Sequence, residues 1–145
     1  MANVGIPVQI SLKTRMNQDG QTETTELIVF GKYYEKANTS FLIYDEVTDG
    51  GEVHTIVKYK EETVQIIRRG AVNMRLAFRK KERLGGTFQT KAGTLLLQTE
   101  TDSIDFHWDQ KNKSGIIDVN YHFFMEQMEV GYYQLSFTFK EEHQS

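Results

Sequence analysis

Strict alternation of apolar and polar residues runs through the last third of the chain and leaves little choice of architecture. "SIDFHWD" places Ile104, Phe106 and Trp108 on one face and Asp105, His107 and Asp109 on the other. "IIDVNYHFF" sends Ile117, Val119, Tyr121 and Phe123 one way, against Asp118, Asn120 and His122. "YYQLSFTFK" sets Tyr133, Leu135, Phe137 and Phe139 against Gln134, Ser136, Thr138 and Lys140. A period of two is the signature of half-buried antiparallel strands. No window of eleven or more residues carries a helical stripe. "YYEKANTS" is read as one turn of helix at most.

Between the strands, "QDGQ" at 18, "TDGG" at 48, "LGG" at 84, "AG" at 92 and "NKSG" at 112 supply glycines for hairpin turns that need positive φ. Eight to ten strands follow. An open sheet of that size curls or splits, and closure removes its exposed edges. The expected fold is therefore all-β, a single antiparallel up-and-down barrel of 8–10 strands, with a β-sandwich as second choice. One proline and no linker leave residues 1–145 as one domain, a length able to bury about 70% of its unfolded surface.

Composition removes several function classes. A net charge of -3 disfavours a dedicated nucleic-acid binder, which carries a basic excess over the whole domain. The absence of cysteine excludes disulfides, thiolate metal sites and a cysteine nucleophile. The N-terminus lacks a signal-peptide pattern and no stretch approaches 18 apolar residues. The expectation is a cytoplasmic protein with no membrane contact.

Laid out as strands, "IIRRG", "MRLAF", "GTFQTKAGTLLLQT", "SGIIDVNYHFF" and "YYQLSFTF" resemble the YwiB-like family of Gram-positive bacteria. The resemblance implies a lipocalin-like, calycin-type barrel and no assigned activity. It covers roughly residues 1 to 140 by strand order, with recognisable motifs from 64 to 139. The chain departs from the family at Phe88, Gln89, Thr90, Lys91, Ala92 and Gly93, where a threonine-proline pair is missing, so the loop before "TLLLQT" is expected to differ. Fold does not fix function.

Residues 63–86 gather seven arginines and lysines against one glutamate. On the pleat of "VNMRLAFRK", Val72, Met74, Leu76 and Phe78 face the core, and Arg75 and Arg79 face water. Lys80, Lys81 and Arg83 fall in the turn that follows. Such a run is ordinarily a solvated face. Arg68 and Arg69 are neighbours in a strand, so one points to each side. An unbroken strand to Phe78 puts Arg68 inside, although Gly70 could mark a bulge that resets the phase. An inward arginine cannot shed its charge and must meet a carboxylate, carbonyls or an anionic ligand. Arg68 is preferred over Arg69 as such an anchor.

Other constellations are weaker. Asp105, His107 and Asp109 share a strand face at about 7 Å spacing, too far apart to hold a metal without His122 from a neighbouring strand. They read as a wet face, and no metal or cofactor is expected. His54 and His143 are isolated. Glu61-Glu62 and Glu141-Glu142 sit in a turn and a tail, where no opposed environments tune an acid and a base. No phosphate loop or nucleophile elbow is present, so an enzyme is not expected.

The leading expectation is a small-molecule binder whose lumen or mouth takes an apolar, anionic compound. Arg68 or Arg69 would anchor it, with Trp108, Tyr121 and Phe137 as contacts. Together with Phe139, the last three are the rings expected deepest inside. The alternative is a side-chain-filled barrel that docks an acidic protein or RNA on the basic hairpin of Arg79, Lys80, Lys81 and Arg83. "ELIVFGKYY" and "SFLIYDEV" show no single buried side, which calls for bulges or for cover by a partner such as a second copy of the chain.

Overall fold

The computed structural model describes residues 5–142. Ten strands follow one another: β1 (Ile6–Gln18), β2 (Gln21–Lys36), β3 (Thr39–Thr48), β4 (Gly51–Lys60), β5 (Thr63–Gly70), β6 (Asn73–Arg79), β7 (Arg83–Thr90), β8 (Gly93–Asp109), β9 (Ser114–Met125) and β10 (Met128–Glu141). Each pairs antiparallel with its sequence neighbours. β1 and β10 pair with each other from Val8 opposite Glu141 to Asn17 opposite Tyr132, which closes the barrel. The up-and-down barrel read from the alternation is the observed fold. The segment 33–40 contains no helical turn: β2 runs to Lys36, and Ala37-Asn38 reverses the chain into β3.

Two-residue turns do much of this work. Asp19-Gly20, Ala37-Asn38, Glu61-Glu62 and Glu126-Gln127 each place both central residues at positive φ, between 49° and 78°. That geometry matches the right-handed twist of the flanking strands, as in type I′ turns. Glycine therefore marks only some of them. "LGG" at 84 is not a turn at all. The reversal lies at residues 80–82, and Leu84, Gly85 and Gly86 belong to β7. A side chain on Gly86 would collide with the carbonyl of Arg75, so the glycine is there to let β7 cross close to β6.

The alternation continues where the sequence hides it. In β8, Leu97, Thr99 and Thr101 are buried, after which the register slips at Thr101/Ser103 and Ile104, Phe106 and Trp108 take over the inner face. One bulge thus keeps a 17-residue strand amphipathic although its phase flips. Two ladders are short. β6 pairs β7 only from Asn73 to Arg75, beyond which the Thr99 hydroxyl on β8 donates to the Ala77 carbonyl. β2 pairs β3 only through residues 31–36, so residues 21–30 bond β1 alone.

The barrel is filled unevenly. At one end Tyr33 stacks on Trp108 with ring centroids 4.2 Å apart, leans on Phe139 at 5.2 Å, and donates its hydroxyl to Ser40 Oγ at 3.2 Å. Tyr59 stacks on Phe106 beside them at 4.5 Å. The waist holds Val8, Ile10, Val57, Val64, Phe78, Ile117, Val119 and Phe137, all 1% exposed or less. The other end is not filled.

Two outcomes test this account. A methyl group on Gly31, where the β2–β3 ladder begins, would strike the carbonyl of Ile43. Gly31→Ala should therefore cost about 2–3 kcal/mol in urea unfolding. Replacing Glu61-Glu62 by Asn-Gly relieves two left-handed glutamates and should raise stability by about 1 kcal/mol, read as a higher urea midpoint with an unchanged slope.

Candidate functional site: the open end of the barrel

The unfilled end is a cavity of about 380 Å³. Its walls are mostly apolar: Leu12, Leu27, Ile66, Met74, Leu76, Leu135 and Phe137. The polar groups that line it are Thr14, Thr25, Tyr44, Glu46, Arg68, Tyr121 and Tyr133. Strand parity puts each of them there. Leu42, Tyr44 and Glu46 share the inner face of β3, and Val64, Ile66 and Arg68 share that of β5. Gly70 ends β5 at φ 117°, and β6 takes up pairing again with Met74 opposite Arg68. The phase is not reset, and Arg68 points inward.

Arg68 Nη2 donates to Glu46 Oε1 at 2.7 Å. The arginine side chain is 25% exposed and the glutamate 17%. Together they form a half-desolvated ion pair at the rim rather than a solvated surface bridge. Glu46 stands where β3 has already parted from β2. Around the pair the tyrosines are protonated and hard to ionise. Burial pushes the Tyr44 hydroxyl up to about 12, and the Tyr121 hydroxyl is raised by the same cause. Tyr121 also stacks on Tyr133, centroids 5.5 Å apart, and meets Phe78 edge-on.

The cavity thus brings together Arg68, Tyr121 and Phe137 of the expected ligand contacts. It does not hold the other two. Arg69 faces outward opposite His54, and with Arg75 it flanks Ile67, which is 8% exposed on the outer wall. Trp108 belongs to the ring cluster at the opposite end, its indole N–H donating to Gln110 Oε1 at 2.9 Å. The sequence reading also overlooked Glu46, the partner that decides what Arg68 is doing. Its signal was available: in "SFLIYDEV" it continues the Leu42–Tyr44 face at period two, a charge on an inward row.

The basic hairpin is partly neutralised. Arg79 pairs with Glu82 at 3.2 Å, and Arg83 reaches Glu100 at 2.7 Å while lying 4.2 Å over the Phe124 ring. Lys80 and Lys81 are exposed. Of the outer-face polar residues, Asp109 accepts N–H bonds from Lys111 and Asn112 and shapes its own turn. Asp105 lies opposite Asp118. His122 sits 3.3 Å from Glu129 and against the Tyr132 ring. Among the described residues no three histidine or carboxylate groups converge as a metal site. His143 lies outside the described residues.

A closed ten-stranded barrel with one end packed by rings and the other opening into an apolar cavity with a charged rim is a β-barrel protein of the single-lumen type. The chain belongs to the family described as a domain of unknown function (DUF1934), whose model matches residues 10–137. It is 35% identical over 115 residues to the uncharacterized beta-barrel protein YwiB of Bacillus subtilis (strain 168), covering 79% of this chain and 80% of that one. The crystal structure of the ywiB protein from Bacillus subtilis superposes with a TM-score of 0.84 at 30% identity, over 95% of this chain and 93% of the other. The resemblance read from the strands holds, and the family carries no assigned function.

The buried tyrosines set an alkaline limit. An acid whose folded pKa is raised contributes stability that is whole below its unfolded value of 10.0 and is lost as pH climbs toward the folded value. For Tyr33 and Tyr44 that window runs from 10.0 to about 12. Circular dichroism across it should show cooperative unfolding, and Tyr44→Phe should move the midpoint to higher pH.

Proposed function

We propose that the open half of the barrel binds a small, largely apolar molecule carrying one anionic group, with Arg68 as its anchor and no chemistry performed on it. The observation that supports this reading is a single arginine in a cavity lined by leucines, tyrosines and threonines, paired with one carboxylate at the rim. Exchanging Glu46 for a ligand anion trades one charge-assisted hydrogen bond for another. Glu46, beside the opening between β2 and β3, is placed to turn toward water. The ligand body then gains from burial against Leu12, Ile66, Leu76 and Leu135 at about 25 cal/mol per Å² of apolar surface. Docking of an acidic partner or RNA on residues 79–83 is the weaker alternative, since Arg79 and Arg83 already have carboxylate partners.

Anilinonaphthalene sulfonate, an apolar anion with a fluorescent readout, serves as the probe. It should bind the native protein, and Glu46→Gln should tighten binding several-fold by freeing Arg68. Removing the whole pair as Arg68→Met with Glu46→Leu should leave stability within about 1 kcal/mol, because an apolar replacement of both partners spares their desolvation. The same double variant should weaken probe binding at least tenfold. Unchanged affinity in that stable variant would remove Arg68 as the anchor.

A further inference from the structure

Among the described residues, the second strand carries an edge that no other strand pairs. Gly31, Lys32 and Tyr33 of β2 pair on both sides, with β1 and with β3, and residues 34–36 pair with β3, but residues 21–30 pair with β1 only. Hairpin geometry says which backbone groups are left over. Gln18 and Gln21 flank a two-residue turn and so form a hydrogen-bonded pair, after which bonded and non-bonded pairs alternate. The odd residues of this stretch therefore bond β1. Thr22, Thr24, Glu26, Ile28 and Phe30 aim their N–H and C=O groups off the barrel. The hairpin at Ala37-Asn38 gives the same parity independently, since Lys36 pairs with Thr39 across it.

Edges of this length are ordinarily blunted by lysine, proline, a bulge or a covering loop. Among the described residues this one carries no lysine, proline, bulge or covering loop, and its only charges are Glu23 and Glu26. Its outer face instead shows Ile28 58% exposed and Phe30 57% exposed. Had the β2–β3 register continued, Ile28 would lie opposite Val47, which is 82% exposed on the far side of the gap.

We infer that this edge is where a second copy of the chain docks, β2 against β2 about a two-fold axis through Thr25, making one antiparallel sheet across two barrels. A perpendicular two-fold keeps inner faces with inner and outer with outer, so residues whose numbers sum to an even total pair. With the axis at Thr25, Thr24 meets Glu26 of the second copy and Thr22 meets its Ile28, all of them edge-facing residues. An axis at Glu26 would set two glutamates directly opposite, which repel. Arg15 lies beside Thr24 and Lys13 beside Glu26 on the outer face. In the Thr25 register the row across the seam therefore runs Lys13, Glu26, then Thr24 and Arg15 of the second copy. The arginine is two strand spacings, about 10 Å, from a glutamate that Lys13 already approaches to 3.8 Å. A second copy supplies its own identical edge, so the closed pair leaves neither strand open. The inference stands apart from the ligand reading, because it uses backbone and outer-face groups rather than the Arg68 pair.

The full chain should sediment at twice its own mass. Thr24→Pro removes an N–H that points away from β1, a place where an edge strand tolerates proline, and should give a folded monomer. Thr25 falls at a non-hydrogen-bonded pair, where Cα atoms approach to about 4.5 Å, within disulfide range. In a chain without cysteine, Thr25→Cys should form a disulfide-linked dimer under mild oxidation, while Gln21→Cys should not. A native chain that remains monomeric at high concentration would leave the edge to some other protein's strand and overturn the inference. So would a dimer that survives Thr24→Pro in a folded protein and gives no Thr25→Cys cross-link.

Discussion

The described chain is almost wholly strand, and the constraint that shapes it most is the need to find partners for backbone N–H and C=O groups. A flat sheet of ten strands would expose two long edges, and strand edges are where sheet proteins aggregate. Pairing β1 with β10 removes that problem over ten registered positions. It also creates an interior, because the twist and tilt that closure demands leave a lumen that side chains must occupy. Core composition, the placement of bulges and the special glycines are consequences. Gly31 and Gly86 occur where neighbouring backbones come too close for a side chain. The slip at Thr101/Ser103 lets one long strand keep an apolar face to the lumen.

The lumen is then divided. Large rings are efficient at filling a cylinder, and Tyr33, Trp108, Phe139, Tyr59 and Phe106 close one end by stacking. At the other end the inward row holds leucines, tyrosines and an ion pair instead. A buried pair is seldom the most stabilising choice, since apolar residues of equal volume commonly do as well or better. Its presence in a pocket whose other lining groups are uncharged argues for use of the charge, which is why Arg68 and Glu46 matter more to the functional reading than the exposed arginines on the outer wall.

Much of this was legible in the residues. The period-two rows of β9, β10 and the second half of β8 gave the fold class, the inner face and most of the deep rings. Parity favours Arg68 over Arg69 for the inner face but leaves Gly70 able to reset the phase, and only the pairing of Arg68 with Met74 settles which one points inward. The failures have physical causes as well. Glycine is an incomplete marker of turns here, since Glu61-Glu62 and Glu126-Gln127 adopt the left-handed geometry without it, held by the ladders on either side. Trp108 was placed correctly on the inner face, but alternation says nothing about height along the barrel, and height separates the packed end from the open one. The same limit hid Glu46: a sequence shows which row a charge lies on, not which charge two strands away can reach it. The mixed faces of "ELIVFGKYY" had yet another origin, in a strand that loses one neighbour partway along its length.

The topology has a consequence in time. Nine of the ten strand junctions join sequence neighbours through short reversals, so each can form as a local hairpin at small loop-closure cost. The tenth, β1 with β10, brings together segments separated by nearly the whole described chain. Its entropy must be met before its contacts contribute, and contact order of that kind governs folding rate. The seam therefore carries the largest loop-closure cost of the ten junctions. Val8, Ile10, Phe137 and Phe139 are buried beside it, so the apolar contacts that offset this cost lie at the seam itself.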